Sequence, residues 1–232
     1  MFTLDNKTGE NFDTTAKLTV IGAGGAGGNA INRMVEGGLD GVEFVAINTD
    51  TMALEQNRAD VRVQIGQRLT KGLGAGANPE IGRVAMEEDC LKVENLIKNS
   101  DMVFITAGLG GGTGTGSAPV IAKISKKLKI LTIAIVTYPF RFEGKVRESN
   151  ARVGIEELKK FADTIIIIQN QKLLSVVDRK TPINKAFKKV DEVLFNATKA
   201  ISDLISIHGL VNLDFADVRT IMNDMGEAII GL

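Results

Sequence analysis

Cys90 is the only cysteine and His208 the only histidine of the 232 residues. A disulfide framework and a metal site built from His and Cys side chains are both excluded. Neither charge sign dominates, because 28 Lys and Arg balance 28 Asp and Glu. Binding to a nucleic-acid backbone therefore has no electrostatic support. The nearest thing to a basic patch, Lys123 to Lys129, reads as the solvated end of a helix, where cations favour the C-terminal dipole. No apolar run approaches the ~20 residues that a spanning helix needs, and the N-terminus lacks the basic-then-apolar order of a signal peptide. The expectation is a cytoplasmic chain, 44% hydrophobic and 24% charged, with enough apolar content for a full core.

What the chain has is glycine, 25 of them, concentrated in three loops. The densest, Gly110-Gly111-Gly112-Thr113-Gly114-Thr115-Gly116, follows an apolar run from Met102 to Ala107 and opens into a helical pattern from Ser117 to Leu128. A strand, a glycine turn and a helix in that order let backbone N–H groups converge on an anion, with the helix N-terminus adding positive potential. The Thr hydroxyls can add hydrogen bonds to phosphate oxygens or a cation. A second loop spans residues 22–28 after the first strand, and a third spans 72–79 before a long helix.

Strands are predicted at Leu18 to Gly22, Glu43 to Asn48, Met102 to Ala107, Leu131 to Thr137 and Thr164 to Gln169. The last three are nearly continuous Ile, Val, Leu and Thr, as in strands buried on both faces of a parallel sheet. Helical patterns lie between them at Gly28 to Glu36, Pro79 to Lys98, Ser117 to Leu128 and Lys145 to Phe161. This alternation predicts an α/β fold, a Rossmann-like, mostly parallel sheet with helices on both faces, with ligands at the C-terminal ends of the strands. Residues 1–15 read as a disordered tail, 16–183 as the nucleotide-binding domain, 184–209 as a long central helix, and 210–232 as a loop and the first helix of a further domain.

The central pattern, Asn184 to His208, places Phe187, Val190, Leu194, Ala197, Ile201 and Leu204 on one stripe. At ~1.5 Å per residue it spans about 37 Å, enough to cross a domain. His208 reads as a helix-end residue before Gly209. Beyond it, Asn212, Asp214 and Asp217 open the next helix. They suit helix capping, and with a triphosphate nearby they are also candidates for orienting an attacking water.

Two nucleotide chemistries fit these residues. Gly22, Gly24 and Gly27 satisfy G-x-G-x-x-G after a strand, and Asp50 lies where a ribose-binding acid would, which suits an NAD-dependent Rossmann oxidoreductase. That fold has no need of a second cradle on its fourth strand, whereas three glycine loops suit a chain of phosphates enclosed by backbone. No Lys completes a G-x-x-x-x-G-K-[ST] pattern, so a P-loop NTPase is unsupported.

The order of motifs carries a resemblance. GAGGAGGNAINRM at 22–34, NTD at 48–50, GLGAGANPEIG at 72–82, GGGTGTG at 110–116, PFRFEGKVR at 139–147 and NLDFADVR at 212–219 together resemble FtsZ, the bacterial branch of the tubulin family. The resemblance implies a GTPase that binds GTP or GDP, with Mg2+ held through phosphates and water. It implies head-to-tail homopolymers, a place in the midcell division ring, and a C-terminal tail for membrane tethers and division regulators. Residue by residue it assigns phosphate binding to Gly24, Gly25, Ala26 and Asn29 and to Gly111, Gly112, Thr113, Gly114 and Thr115. Ribose contacts fall to Glu143 and Arg147, guanine recognition to Asn170 and Asp191, and base stacking to Phe187. Asn212, Asp214 and Asp217 would complete the catalytic site of a neighbouring subunit.

Two departures bear on this. Ala26 stands where many members have glycine, and the sequence ends at Leu232, where members continue into a second domain and tail. The expectation is a fragment that binds nucleotide, turns it over weakly, and has an exposed or rearranged final helix prone to self-association. Its uncovered apolar residues would be Phe215, Ile221, Met222, Met225, Ile229 and Ile230. A scaffold that binds nucleotide without turnover is the third function class.

Overall fold

A computed structural model describes residues 16–174, 182–206, 215–223 and 225–228. In chain order the elements are β1 (Leu18–Ala23), α1 (Gly24–Glu36), β2 (Val42–Asn48), α2 (Thr51–Glu55), β3 (Val61–Gln64), α3 (Gln67–Thr70), α4 (Pro79–Glu88) and α5 (Cys90–Ile97). They continue with β4 (Met102–Gly108), α6 (Thr113–Lys127), β5 (Leu131–Tyr138), a 3-10 turn (Arg141–Glu143), α7 (Lys145–Leu158), β6 (Thr164–Gln169), α8 (Asn170–Leu173), α9 (Ile183–Ser206), α10 (Phe215–Met222) and β7 (Gly226–Ala228).

The strands form one parallel sheet in the order β3-β2-β1-β4-β5-β6-β7. The order reverses direction between β1 and β4, and the crevice at that switch point is where an open α/β sheet binds ligands. Helices α4, α5, α6 and α7 cover one face and pack with Ile21, Val45, Ile105 and Val136. Helices α1, α9 and α10 cover the other, with Val20, Phe104 and Ile133 beneath them. Strand β4 is buried from Met102 to Ala107 and β5 from Leu131 to Thr137, so their unbroken apolar sequences reflect burial on both faces.

The five predicted strands are present within one residue of their predicted ends, and the structure adds two edge strands. β3 is short and polar at alternate positions, with Val63 its one buried residue. β7 has three residues and begins where Gly226 N–H donates to the Asp163 carbonyl. The helix predicted from Pro79 to Lys98 is two helices. Asp89 leaves helical geometry at φ −109°, ψ 16°, and its carboxylate accepts from the Gly66 N–H at 2.8 Å and pairs with Lys92 at 2.8 Å. A tertiary hydrogen bond thus interrupts a continuous helical pattern. At the start of α4, the Asn78 side chain caps Glu80 N–H and Pro79 occupies the first turn.

On α9 the predicted stripe is buried at Val190, Leu194, Ala197 and Ile201, but Phe187 remains 39% exposed. Leu204's side chain and His208 lie outside the described residues, as does the predicted tail at 1–15. Helix α10 is docked: Val218 is buried, Phe215 and Met222 pack against the same core, Arg219 donates to the Lys129 carbonyl at 2.9 Å, and Thr164 Oγ1 donates to the Met222 carbonyl at 2.8 Å. The expectation of an uncovered final helix therefore holds for Ile221 and Met225, which are exposed, and not for Phe215 or Met222. Ile229 and Ile230 lie outside the described residues. Among the described residues no helix is long and apolar enough to cross a membrane.

Candidate nucleotide site

Three glycine loops meet at the C-terminal ends of β1 and β4. Gly24 adopts φ +72°, and a Cβ there would lie 2.7 Å from Gly114 N, so the first loop touches the start of α6. A Cβ at Gly112 would lie 2.8 Å from the Ala75 Cβ and 2.9 Å from Asn78 N, which brings in the third loop. These glycines are explained by close packing of one loop on another. Gly25 and Gly111 are not, because among the described residues a Cβ at either meets nothing within 4 Å, and neither has a positive φ. Of these two, Gly25 lines a hollow beside α1, and Gly111 lies in the loop that leads into α6; bare backbone at both is what a bulky anion would need for direct access.

Side chains fix this cradle. Thr113 Oγ1 is 2.7 Å from Thr49 Oγ1, linking the start of α6 to the end of β2. Thr115 is buried at 3% exposure, and its hydroxyl accepts from Gly110 N–H at 2.8 Å, so it braces the loop from within. Asn150 on α7 donates to the carbonyls of Gly110 and Ala77, both at 3.3 Å, joining two loops 73 positions or fewer away from it in sequence. Ala26 is exposed and sits over β4, where a Cβ on Gly108 would come within 2.5 Å of the alanine methyl. Asp50 uses Oδ1 to cap α2, accepting from Met52 and Ala53 N–H at 2.9 and 3.2 Å.

Gly24, Gly25 and Asn29 line a cavity of about 330 Å3 together with Asn48 and Asn57. Asn29 also borders a second hollow of about 710 Å3, shared with Arg33, Phe187 and Asp191. Asn29 is therefore where the glycine cradle passes into the α1–α9 seam. At that far end Phe187 makes edge-to-face contacts with Phe140 and Phe142, at centroid separations of 5.2 and 6.3 Å. Phe140 and Phe142 stack on each other at 4.8 Å, a cluster that holds the Phe187 ring in place. Asn170 opens α8 at 4% exposure, and its side-chain oxygen has no hydrogen-bond partner among the described residues. Desolvation pushes the Asp191 carboxyl up to about 6, against the pull of the Arg33 charge.

Glu143 and Arg147 form an ion pair at 2.8 Å. The other Glu143 oxygen accepts from Phe140 N–H at 2.8 Å, and its side chain is 10% exposed against 48% for Arg147. The carboxylate is thus committed to the turn before α7, while the guanidinium retains donors facing solvent.

The remaining candidates lie elsewhere. Asp217 is exposed on α10, which the Arg219–Lys129 and Thr164–Met222 bonds anchor beside the N-terminal ends of β5 and β6. The cradle is at the opposite, C-terminal end of the sheet, and a strand as long as β5 spans about 26 Å at ~3.3 Å per residue. Asn212 and Asp214 lie outside the described residues. Sequence reasoning assigned no role to Arg33, Asn150, Phe140 or Phe142. The phenylalanines stood within a quoted motif, but nothing local showed that they would meet α9.

The sequence model of the tubulin/FtsZ family's GTPase domain matches residues 17–178. Among solved structures, an empty FtsZ dimer from M. jannaschii is 53% identical with a TM-score of 0.89, over 92% of this chain and 62% of the other. A W319Y mutant of M. jannaschii FtsZ is 54% identical with a TM-score of 0.91, over 94% of this chain and 65% of the other. CetZ1 from Haloferax volcanii, solved as a GDP-bound monomer, is 27% identical with a TM-score of 0.78, over 91% and 65%. The chain thus spans slightly less than two thirds of the length of the structures it matches. By the family match and by identity over nearly its whole length, the chain belongs to the tubulin/FtsZ family.

Proposed function

We propose that this chain binds GTP and GDP and supplies the nucleotide-holding part of a self-assembling GTPase of the cell-division ring. The observation that carries the proposal is the pair Gly25 and Gly111, bare of side chains at a place where none of the described residues requires it. Phosphates would lie against Gly24, Gly25 and Ala26 of the first loop, Asn29, and the run from Gly111 to Thr115, with the N-termini of α1 and α6 stabilising the negative charge. Thr115 would act by shaping the loop. Mg2+ would arrive with the triphosphate, held by phosphate oxygens and water. Arg147, oriented by Glu143, would reach the ribose, and Phe187 would stack on the base. Asn170, with an amide oxygen unpaired among the described residues, and Asp191 would read the guanine edge.

Hydrolysis would need a second copy. Asp217, and with it Asn212 and Asp214, would serve the nucleotide of the next subunit, because α10 sits at the end of the sheet remote from its own cradle. Copies stacked in one orientation make a heterologous contact that propagates as a filament. The ring would lie at midcell in the cytoplasm, where membrane tethers and division regulators would act on it. Relatives of archaeal source mean that a bacterial origin is not implied by the likeness.

The test is complementation in the full-length protein. Asp217→Ala should bind GTP without hydrolysing it, and Gly25→Val should neither bind nor hydrolyse. A mixture of the two should regain turnover, since the Asp217→Ala nucleotide would meet an intact Asp217 from its neighbour. Normal turnover by Asp217→Ala alone, or a mixture no more active than its parts, would refute the shared site.

A further inference from the structure

The seam between α1 and α9 holds a charge cluster of Arg33, Glu36, Lys189, Asp191 and Glu192. Gly37 closes α1 against the Phe195 ring, where a Cβ would come within 2.8 Å, so the two helices approach closely. This brings Arg33 across from the turn of α9 that carries Asp191 and Glu192. Arg33 lies 3.6 Å from Glu192 and 3.8 Å from Glu36, and it borders the same hollow as Phe187 and Asp191. Arg58 pairs with Glu36 at 3.1 Å, and Lys189 with Glu192 at 2.7 Å. The two glutamates therefore each have a second cation.

We propose that Arg33 is a positioning residue for base recognition, standing across the seam from Asp191 and keeping that carboxylate available as the acceptor for a guanine edge. The proposal rests on the guanine-nucleotide reading above. Guanine presents two adjacent donors, N1–H and N2–H, which a carboxylate can accept together and a carboxylic acid cannot. Adenine presents a donor beside an acceptor, so the ionised carboxylate also sets the selectivity. Burial opposes ionisation of Asp191, and Arg33 is the charge that counters it.

Among the described residues, the other charged groups near Asp191 do not replace Arg33. Glu36 and Glu192 are anions, and Lys188 borders the hollow from the helix that bears Asp191 itself. Lys172 is the one charged residue of α8, and β5 and β6 beneath α9 contain no Asp, Glu, Lys, Arg or His.

The sign of the pH effect follows. Asp191 titrates near 6 in the free chain, so guanine-nucleotide affinity falls as pH drops through that value. Removing Arg33 moves the fall to higher pH. Arg33→Gln and Arg33→Lys are compared with the unaltered chain by GDP titration at several pH values between 5.5 and 8. The ratio of affinities between proteins cancels the titration of the GDP terminal phosphate, which is common to all. For an upward shift of about one unit, Arg33→Gln binds GDP roughly fivefold more weakly at pH 6 and nearly normally at pH 8. Arg33→Lys restores the profile. A ratio that stays constant across pH, or an Arg33→Gln affinity equal to that of the unaltered chain at every pH, overturns the proposal. If the unaltered chain binds no GDP even at pH 8, the guanine reading itself fails and this inference with it.

Discussion

A Cβ added at Gly116 would fall on the Pro79 carbonyl oxygen, while one added at Gly25 meets nothing within 4 Å among the described residues. The two glycines look alike in sequence and serve different purposes. Gly116→Ala should destabilise the fold by roughly 1–3 kcal/mol, since α4 and α6 cannot part without losing core contacts. Gly25→Ala, in the first turn of α1, should leave stability unchanged or raise it by up to ~1 kcal/mol and yet weaken nucleotide binding. Urea unfolding and nucleotide titration of both variants separate these roles. Asp191 supplies a related contrast. Its folded pKa lies above the ordinary 3.8, so between about 4 and 6 the folded chain holds more protons than the unfolded one and loses stability as pH rises. Asp191→Asn should stabilise the nucleotide-free chain above pH 6 by on the order of 1 kcal/mol, discounted because the group is partly solvated, and should abolish guanine preference. Thermal unfolding at pH 5 and pH 7 reads the first effect. The glycines were legible in the sequence because composition alone marks them. Arg33 and Asn150 were not, since each acts on residues of distant elements that only the folded chain brings near.

At the level of elements, legibility followed burial. β4 and β5 read clearly because strands buried on both faces leave no polar interruption. β3 did not, because an edge strand with one buried residue has almost no apolar pattern to offer. The break between α4 and α5 was hidden for a different reason. Apolar spacing continues through Asp89, and what stops the helix is the hydrogen bond to Gly66 N–H, 23 positions away. Asp89→Ala should therefore cost about 1–2 kcal/mol, as a donor in the turn after β3 is left unpaired. Asp89→Asn, which can still accept, should recover most of that in the same urea titration. Phe187 lies between the two cases. Its place on the α9 stripe predicted burial, yet the structure leaves it partly open among Phe140 and Phe142, beside the hollow where a base would stack.

For the whole molecule, the decisive property is the polarity of the parallel sheet. All strands point the same way, so the loops that follow them gather at one end and the segments that precede them at the other. That is why the glycine cradle and α10 are far apart, and why a site requiring both would join two subunits. The βα alternation in the sequence discloses this polarity, and with it the end at which a ligand should sit. The residues assigned to the base, Asn170 on α8 with Phe187 and Asp191 on α9, came only from the family resemblance, because they follow no local pattern. If the joined hollows select a guanine nucleotide, calorimetric titration of the nucleotide-free chain with GDP, GTP, ATP and NAD in parallel gives saturable binding of GDP and GTP at one site and far weaker binding of ATP and NAD. Binding of NAD with no guanine response would overturn the guanine reading.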